Sequence, residues 1–325
     1  MGGNLFKLGR IPRQLYLEIE QEIRNHLDQV WPGLYRIPRY YDTKADFGDL
    51  DVIVSEEVIV GSWVLTRQKL LDELGVTQYK SAGNVFSTVY RNFQVDYFLI
   101  PPEYLESTYQ FLSFNDLGNL IGKICRRFNL KYGEKGLLYV FRRQHGHYKK
   151  ELEVSKDFRQ ICAFLDLDYD HWLQGFASLE DMFDWVIASR YFSVQPYQEQ
   201  ALALSKKAEQ RTTIQKFVNY LEEKKIERVY SYLSDKNDYL PAITEAFPEA
   251  HLLEQIKLEK EAEKRADKIH EKFNGNLIKT LKPELEKEAL GKFIIEFKNA
   301  HPDFEEFILH TSITEIQEKI LNFKL

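Results

Sequence analysis

The sequence predicts an α+β fold: a small mixed β-sheet with flanking helices, followed by a largely α-helical extension. Three observations carry that expectation. Apolar segments with strand character concentrate in the first 100 residues, helical periodicity dominates from Tyr104 onward, and no internal repeat is present. Strands first and helices later are the pattern of segregated layers, since parallel α/β units would interleave the two.

The elements follow in order. Leu15, Leu17, Ile19, Ile23 and Leu27 recur near helical spacing, which predicts an amphipathic helix over 14–30. Pro38 keeps the stretch Tyr35-Arg36-Ile37-Pro38-Arg39-Tyr40-Tyr41 from being a helix interior. Residues 50–54 read as a strand, 58–64 as a short apolar stretch, and 67–74 as a helix. Two strands follow at 85–91 and 93–100, the second ended by Pro101-Pro102. Helices are expected over 115–128, 155–165, 178–190, 197–223, 225–233 and 251–272, with one β-like interruption at 137–141. The block 283–325 is again helical in several pieces, and Pro196 suggests a boundary near 195–200.

Composition narrows the function classes. An apolar fraction of 44% supports a sizeable core, and 22 Phe and 19 Tyr make it aromatic-rich. The net charge of −6 argues against a histone-like, purely electrostatic nucleic-acid binder. Cys125 and Cys162 sit in apolar helical patterns and read as buried thiols, so neither a disulfide framework nor a Cys-rich zinc site is expected. No signal-peptide core or membrane-length apolar run occurs, and Phe6 stands where a myristoylation signal needs Ser or Thr. A cytoplasmic protein without a membrane partner is expected.

Phe47-Gly48-Asp49-Leu50-Asp51-Val52-Ile53-Val54 is the most informative stretch. Side chains alternate along a strand, so Asp49 and Asp51 project from one face while Leu50, Val52 and Val54 take the other, against a core. Two carboxylates on one face raise each other's pKa unless a cation lies between them. In Asn92-Phe93-Gln94-Val95-Asp96-Tyr97-Phe98-Leu99-Ile100, Asp96 is a lone acid inside a strongly apolar strand. A buried carboxylate is costly unless paired or metal-bound, and a third ligand on an adjacent strand accounts for it. Asp49, Asp51 and Asp96 are therefore the candidate metal ligands, with Mg2+ or Mn2+ as the hard cation such oxygens suit.

These residues resemble the DNA polymerase β-type nucleotidyltransferase superfamily, in which Gly-Asp-x-Asp is followed by a later Asp within an apolar strand. Gly48-Asp49-Leu50-Asp51 and Val95-Asp96 match those parts. The likeness extends toward the family-X polymerases through Leu130-Lys131-Tyr132-Gly133-Glu134-Lys135-Gly136-Leu137, Ser155-Lys156-Asp157-Phe158 and Leu165-Asp166-Leu167-Asp168-Tyr169, covering roughly residues 35–170. The sequence departs from the pattern in two places. Pro38-Arg39 stands at the spacing of the superfamily's triphosphate-contacting Gly-Ser, and Ser113-Phe114-Asn115 replaces the family-X Thr-Gly-Ser turn. The polymerases' helix–hairpin–helix DNA grips have no match.

The resemblance implies a palm domain over 1–110, an extension of it over 111–195 and a helical C-terminal domain over 196–325. It implies Asp49, Asp51 and Asp96 as catalytic. Arg39, Lys44, Gly48, Ser113 and Asn115 are the candidate contacts to a nucleoside triphosphate substrate, Arg39 and Lys44 supplying phosphate charge. The implied reaction moves a nucleoside monophosphate to an acceptor hydroxyl, foremost a nucleic-acid 3′ end. The alternatives are a small-molecule or protein hydroxyl, and a non-catalytic interaction protein on the same fold.

Residues 123–150 add a basic stretch. Lys123, Arg126, Arg127, Lys131, Lys135, Arg142, Arg143, Lys149 and Lys150 face only Glu134, with Tyr132, Tyr139, Phe141, His145, His147 and Tyr148 interleaved. Cations for the phosphate backbone and aromatics for stacking are the two ingredients of single-strand binding. The alternative is a solvated helix plus a charged hairpin; the position of the stretch directly after the expected palm favours nucleic-acid or triphosphate binding.

Overall fold

The computed structural model describes residues 5–142, 149–205 and 212–324. The chain has a mixed α+β fold. It divides into two compact units: the first holds the chain before Arg142 together with Lys150–Leu252, and the second holds Leu253–Leu325. The boundary expected near 195–200 falls inside the first unit, where Pro196 stands in the opening turn of a helix that tolerates it.

The first unit opens with β1 (Ile11–Pro12) and α1 (Arg13–Val30), whose Tyr16, Ile19, Ile23 and Leu27 are buried at helical spacing. Then come β2 (Tyr35–Arg36), β3 (Asp46–Phe47), β4 (Leu50–Ser55), α2 (Trp63–Leu74), β5 (Tyr79–Ala82), β6 (Val85–Tyr90) and β7 (Phe93–Ile100). Five of these strands form one sheet in the order β2-β4-β7-β6-β5. The β4–β7 pair is parallel and the remaining pairs are antiparallel, so the sheet is mixed.

The two faces of the sheet differ. Leu50, Val52, Val54, Val95 and Tyr97 share a core with Tyr16, Ile19, Ile23 and Leu27 of α1 and with Leu70 and Leu71 of α2. Ile53, Phe98 and Ile100 point the other way and pack with Leu105, Tyr109 and Leu112 of α3 (Leu105–Leu112). That second face carries Asp51 and Asp96 as well, paired across β4 and β7.

Next come α4 (Leu117–Cys125), β8 (Leu130–Gly133), β9 (Gly136–Arg142) and β10 (Lys149–Ser155), the strands forming a three-stranded sheet in the order β10-β9-β8. Gly133 pairs with Gly136, so Glu134-Lys135 is a tight turn. Gly136 is at φ +81° and a Cβ there would lie 2.5 Å from the Ser155 carbonyl, so the position requires glycine. Ser107 and Thr108 hydroxyls of α3 donate to the Glu134 carbonyl at 2.6 and 3.2 Å and hold this hairpin.

The unit continues with α5 (Phe158–Leu165), α6 (Tyr169–Gln174), α7 (Leu179–Ala188), α8 (Gln195–Ser205), α9 (Thr212–Glu223) and α10 (Leu240–Ala246). Residues 206–211, within the helix expected over 197–223, lie outside the described residues. The helix expected over 225–233 is absent: that segment is irregular. Lys225 takes φ +54° and ends α9, and the backbone beyond is engaged elsewhere. Val194 N–H donates to the Arg228 carbonyl at 3.1 Å, and Tyr230 N–H to Ser193 Oγ at 2.8 Å. These bonds replace the helical ones the apolar spacing suggested.

The second unit is helical: α11 (Leu252–Lys272, beginning on the first unit's last residue), α12 (Gly275–Leu281), α13 (Lys287–Asn299), α14 (Phe304–His310) and α15 (Ile313–Asn322). Phe273, Ile278, Phe293, Phe297, Ile308, Ile316 and Ile320 form its core. Among the described residues no helix is long and apolar enough to cross a membrane.

Candidate metal centre

The acidic cluster is built by the parallel register of β4 and β7. Asp51 pairs with Asp96, so the two carboxylates stand side by side on the same face of the sheet. Asp49 precedes β4 by one residue and joins them. One oxygen from each of Asp49, Asp51 and Asp96 lies within 4.8 Å of the others. Among the described residues this is the one acidic or His/Cys group with the spacing of a cation site. Three carboxylates and no thiolate are the donor set of a hard, oxygen-seeking divalent ion, so the residues fit Mg2+ or Mn2+.

Aromatic packing fixes the approach to the cluster. Phe47 lies on the face of Tyr16, ring centroids 3.6 Å apart, and Tyr40 meets its edge at 4.8 Å. β3 itself pairs with β1. Gly48 makes the buried bend after Phe47, so Asp49 emerges from an anchored turn. Behind this, the buried Glu20 accepts from Tyr40 Oη at 2.9 Å and from Arg24 at 2.6 and 2.8 Å. With donors on both oxygens, the buried Glu20 is satisfied and supports the aromatic wall through Tyr40.

The electrostatics show strain that a cation would relieve. Burial pushes the Asp51 carboxyl well above the usual carboxylate range, and the nearby Asp49 and Asp96 push it further. Lys44 is half-buried beside the cluster. Burial lowers its ammonium to about 8, against the pull of Asp49, Asp51 and Asp46. Its Nζ donates to Asn115 Oδ1 at 2.9 Å and lies 4.3 Å from the centre of the Phe47 ring. Lys44 is thus the basic group that the fold brings to the triad.

The other expected triphosphate contacts divide. Asn115 joins Lys44. Arg39 is held elsewhere: its Nη1 donates to the Trp172 carbonyl at 3.0 Å, and its guanidinium lies over Phe114 at 4.9 Å and Trp172 at 5.6 Å. Ser113 is fully buried, donating to the Tyr109 carbonyl at 2.7 Å and accepting from Arg39 N–H at 3.2 Å. Ser113 thus ties the backbone at Arg39 to the end of α3, and the Arg39 side chain is held by Trp172 of α6. Phe114, also fully buried, is core.

Sequence reasoning missed Gln94. Its side-chain amide donates to both oxygens of Asp96, at 3.0 and 2.8 Å, and Gln94 is only 3% exposed. The signal was available: strand alternation places 94 and 96 on one face, and a polar residue there inside an apolar run needs a partner.

The basic stretch is less open than its sequence suggests. Tyr132, Tyr139 and Phe141 are buried, so the aromatics expected to stack on bases are core. Lys131 pairs with Glu151 at 2.9 Å, and Lys135 lies over the Tyr104 ring. Arg126 is exposed and Lys123 and Arg127 half-exposed, at the end of α4. Arg143, His145, His147 and Tyr148, and the Gly2-Gly3-Asn4 start, lie outside the described residues. No family model matches the sequence and no curated protein matches it, so a function has to be argued from the site.

Proposed function

We propose that this protein is a divalent-metal-dependent nucleotidyltransferase that transfers a nucleoside monophosphate from a nucleoside triphosphate to an acceptor hydroxyl. The observation that carries this reading is the cluster itself: Asp49, Asp51 and Asp96, from two adjacent parallel strands, converge within 4.8 Å. When bound there, a divalent cation supplies charge neutralisation for the triphosphate and acidifies the attacking hydroxyl. The acceptor oxygen bonds to the α-phosphorus, the bond from that phosphorus to the bridging oxygen breaks, and pyrophosphate leaves. Asp96, held through both oxygens by Gln94, accepts the hydroxyl proton. Lys44 Nζ, beside the cluster, binds phosphate oxygens and offsets their charge.

The favoured acceptor is a nucleic-acid 3′ end, supported by Lys123, Arg126 and Arg127 at the end of α4. The same chemistry on a small-molecule or protein hydroxyl is the second reading, favoured by the burial of Tyr132, Tyr139 and Phe141. Each α-labelled triphosphate, incubated with mixed RNA or DNA and Mg2+ or Mn2+, separates them. Label in polynucleotide supports the first. Pyrophosphate release without polynucleotide labelling supports the second. No release with any triphosphate, including in the presence of a cell extract as acceptor source, leaves a non-catalytic protein.

A further inference from the structure

We infer that Gln94 is the positioning residue of the acidic cluster, and that the N-terminal segment at Leu5 sets the direction in which Gln94 works; this rests on the metal-site reading above. Gln94 Nε2 donates to Asp96 Oδ1 at 3.0 Å and to Oδ2 at 2.8 Å. The two residues are two apart on β7, so both face the cluster. A primary amide has a donor end and an acceptor end, and only the donor end suits a carboxylate. Reversed, the amide would set its oxygen against Asp96 and repel it.

The orientation is fixed from the other side. Gln94 Oε1 accepts the Leu5 backbone N–H at 3.2 Å, and an N–H has no use for the amide's nitrogen end. Leu5 is itself held: its carbonyl accepts from Lys80 Nζ at 3.4 Å, and that ammonium lies 5.3 Å from the centre of the Phe6 ring. The sheet register explains why these groups meet. Lys80 pairs with Ser87, Ser87 with Asp96, and Asp96 with Asp51, so all four stand in one row across β5, β6, β7 and β4. Cross-strand partners share a face. The chain at Leu5 therefore runs over the face that carries the carboxylates, anchored at the sheet edge by Lys80.

The consequence is a relay from main chain to metal ligand: Leu5 N–H to Gln94 to Asp96. By bonding both oxygens, Gln94 restrains rotation of the Asp96 carboxylate beside Asp51 and Asp49. Outer partners of this kind typically change metal affinity by about 10- to 100-fold when removed.

The test is Mn2+ binding to the full chain, followed by electron paramagnetic resonance of the free ion. Variants are first checked for folding by thermal unfolding. Gln94→Met keeps length and bulk but removes the donor, and weakens Mn2+ binding by about 10-fold or more. Leu5→Pro deletes the one N–H that orients Gln94 and weakens binding roughly 3-fold or more, whereas Leu5→Ala, which keeps that N–H, binds as wild type. If Gln94→Met does not fold, the Leu5 pair decides alone. Wild-type affinity in both Gln94→Met and Leu5→Pro, with binding lost in Asp96→Asn, overturns the positioning role and leaves the metal site standing. Equal binding by wild type and Asp96→Asn overturns the metal site, and this inference with it.

Discussion

Asp51 and Asp96 are direct register partners on parallel strands, and each strand buries its opposite face in the same core. The two carboxylates are therefore carried on backbones that cannot separate without breaking the core of the sheet. Their repulsion is built in, and it makes the metal-free protein sensitive to pH at this point.

Asp51→Asn should stabilise the metal-free protein by roughly 1–2 kcal/mol near neutral pH. The Asp51 carboxyl titrates higher in the folded chain than in the unfolded one. Its protonated form contributes stability that is complete below the unfolded carboxylate range and lost as pH rises through the raised folded value. The gain in Tm from Asp51→Asn should therefore grow with pH across that window and shrink when Mg2+ is added. A Tm difference that is flat with pH would place no repulsion at Asp51.

Lys44→Ala should raise the triphosphate KM by about 10-fold, a loss of ~1.4 kcal/mol of binding, with a smaller fall in kcat. The Lys44 ammonium titrates at about 8, so triphosphate affinity should weaken as pH climbs through that value. Lys44→Arg, charged at every working pH, should remove this dependence. Steady-state kinetics between pH 6.5 and 9.5 measure both, and an unchanged KM in Lys44→Ala would exclude a phosphate contact.

The alternation that puts Asp49 and Asp51 on one face is readable from sequence, because apolar neighbours mark the other face, and Asp96 stands out as a lone acid in an apolar strand. That it faces Asp51 is set by the β4–β7 register, which the sequence does not show. Gln94 was readable by the same rule and was passed over because an amide does not announce chemistry. Pairing across 74 residues is not readable: nothing local in Ser113 or Arg39 shows that they bond each other. The strand β5 escaped notice since every residue of it is exposed at the sheet edge, leaving no apolar alternation. In the basic stretch the cations are legible but not the burial of the aromatics, because β8 and β9 turn Tyr132, Tyr139 and Phe141 into the core. Helical spacing at 225–233 lost to the backbone partners supplied by 193–194.

Charge reversal at Lys123, Arg126 and Arg127 should weaken single-strand binding and flatten its salt dependence. Each lost phosphate contact removes about 0.7 from the log–log slope. Fluorescence anisotropy of a labelled oligonucleotide between 50 and 300 mM salt reads the slope. An unaltered slope across all three variants would assign these cations to a solvated face and favour the small-molecule or protein acceptor.

A chain ending at Leu252 should keep the metal site, since Asp49, Asp51, Asp96, Gln94 and Lys44 all lie in the first unit. Mn2+ affinity within about 2-fold of wild type is expected, with acceptor KM raised much more than triphosphate KM. The truncated protein must first show cooperative unfolding. Folded protein with lost Mn2+ binding would put an element the site needs in residues 253–325.

The most direct measurement is pyrophosphate release from α-labelled triphosphate by wild type, Asp51→Asn and Asp96→Asn, with and without Mg2+. The expected result is release and label transfer by wild type only when Mg2+ is present, with both variants reduced by at least about 1000-fold while their thermal unfolding stays cooperative. Turnover that survives in either variant, or that persists in wild type after chelation of divalent ions, would contradict the assignment of Asp49, Asp51 and Asp96 as the metal centre of a nucleotidyltransferase.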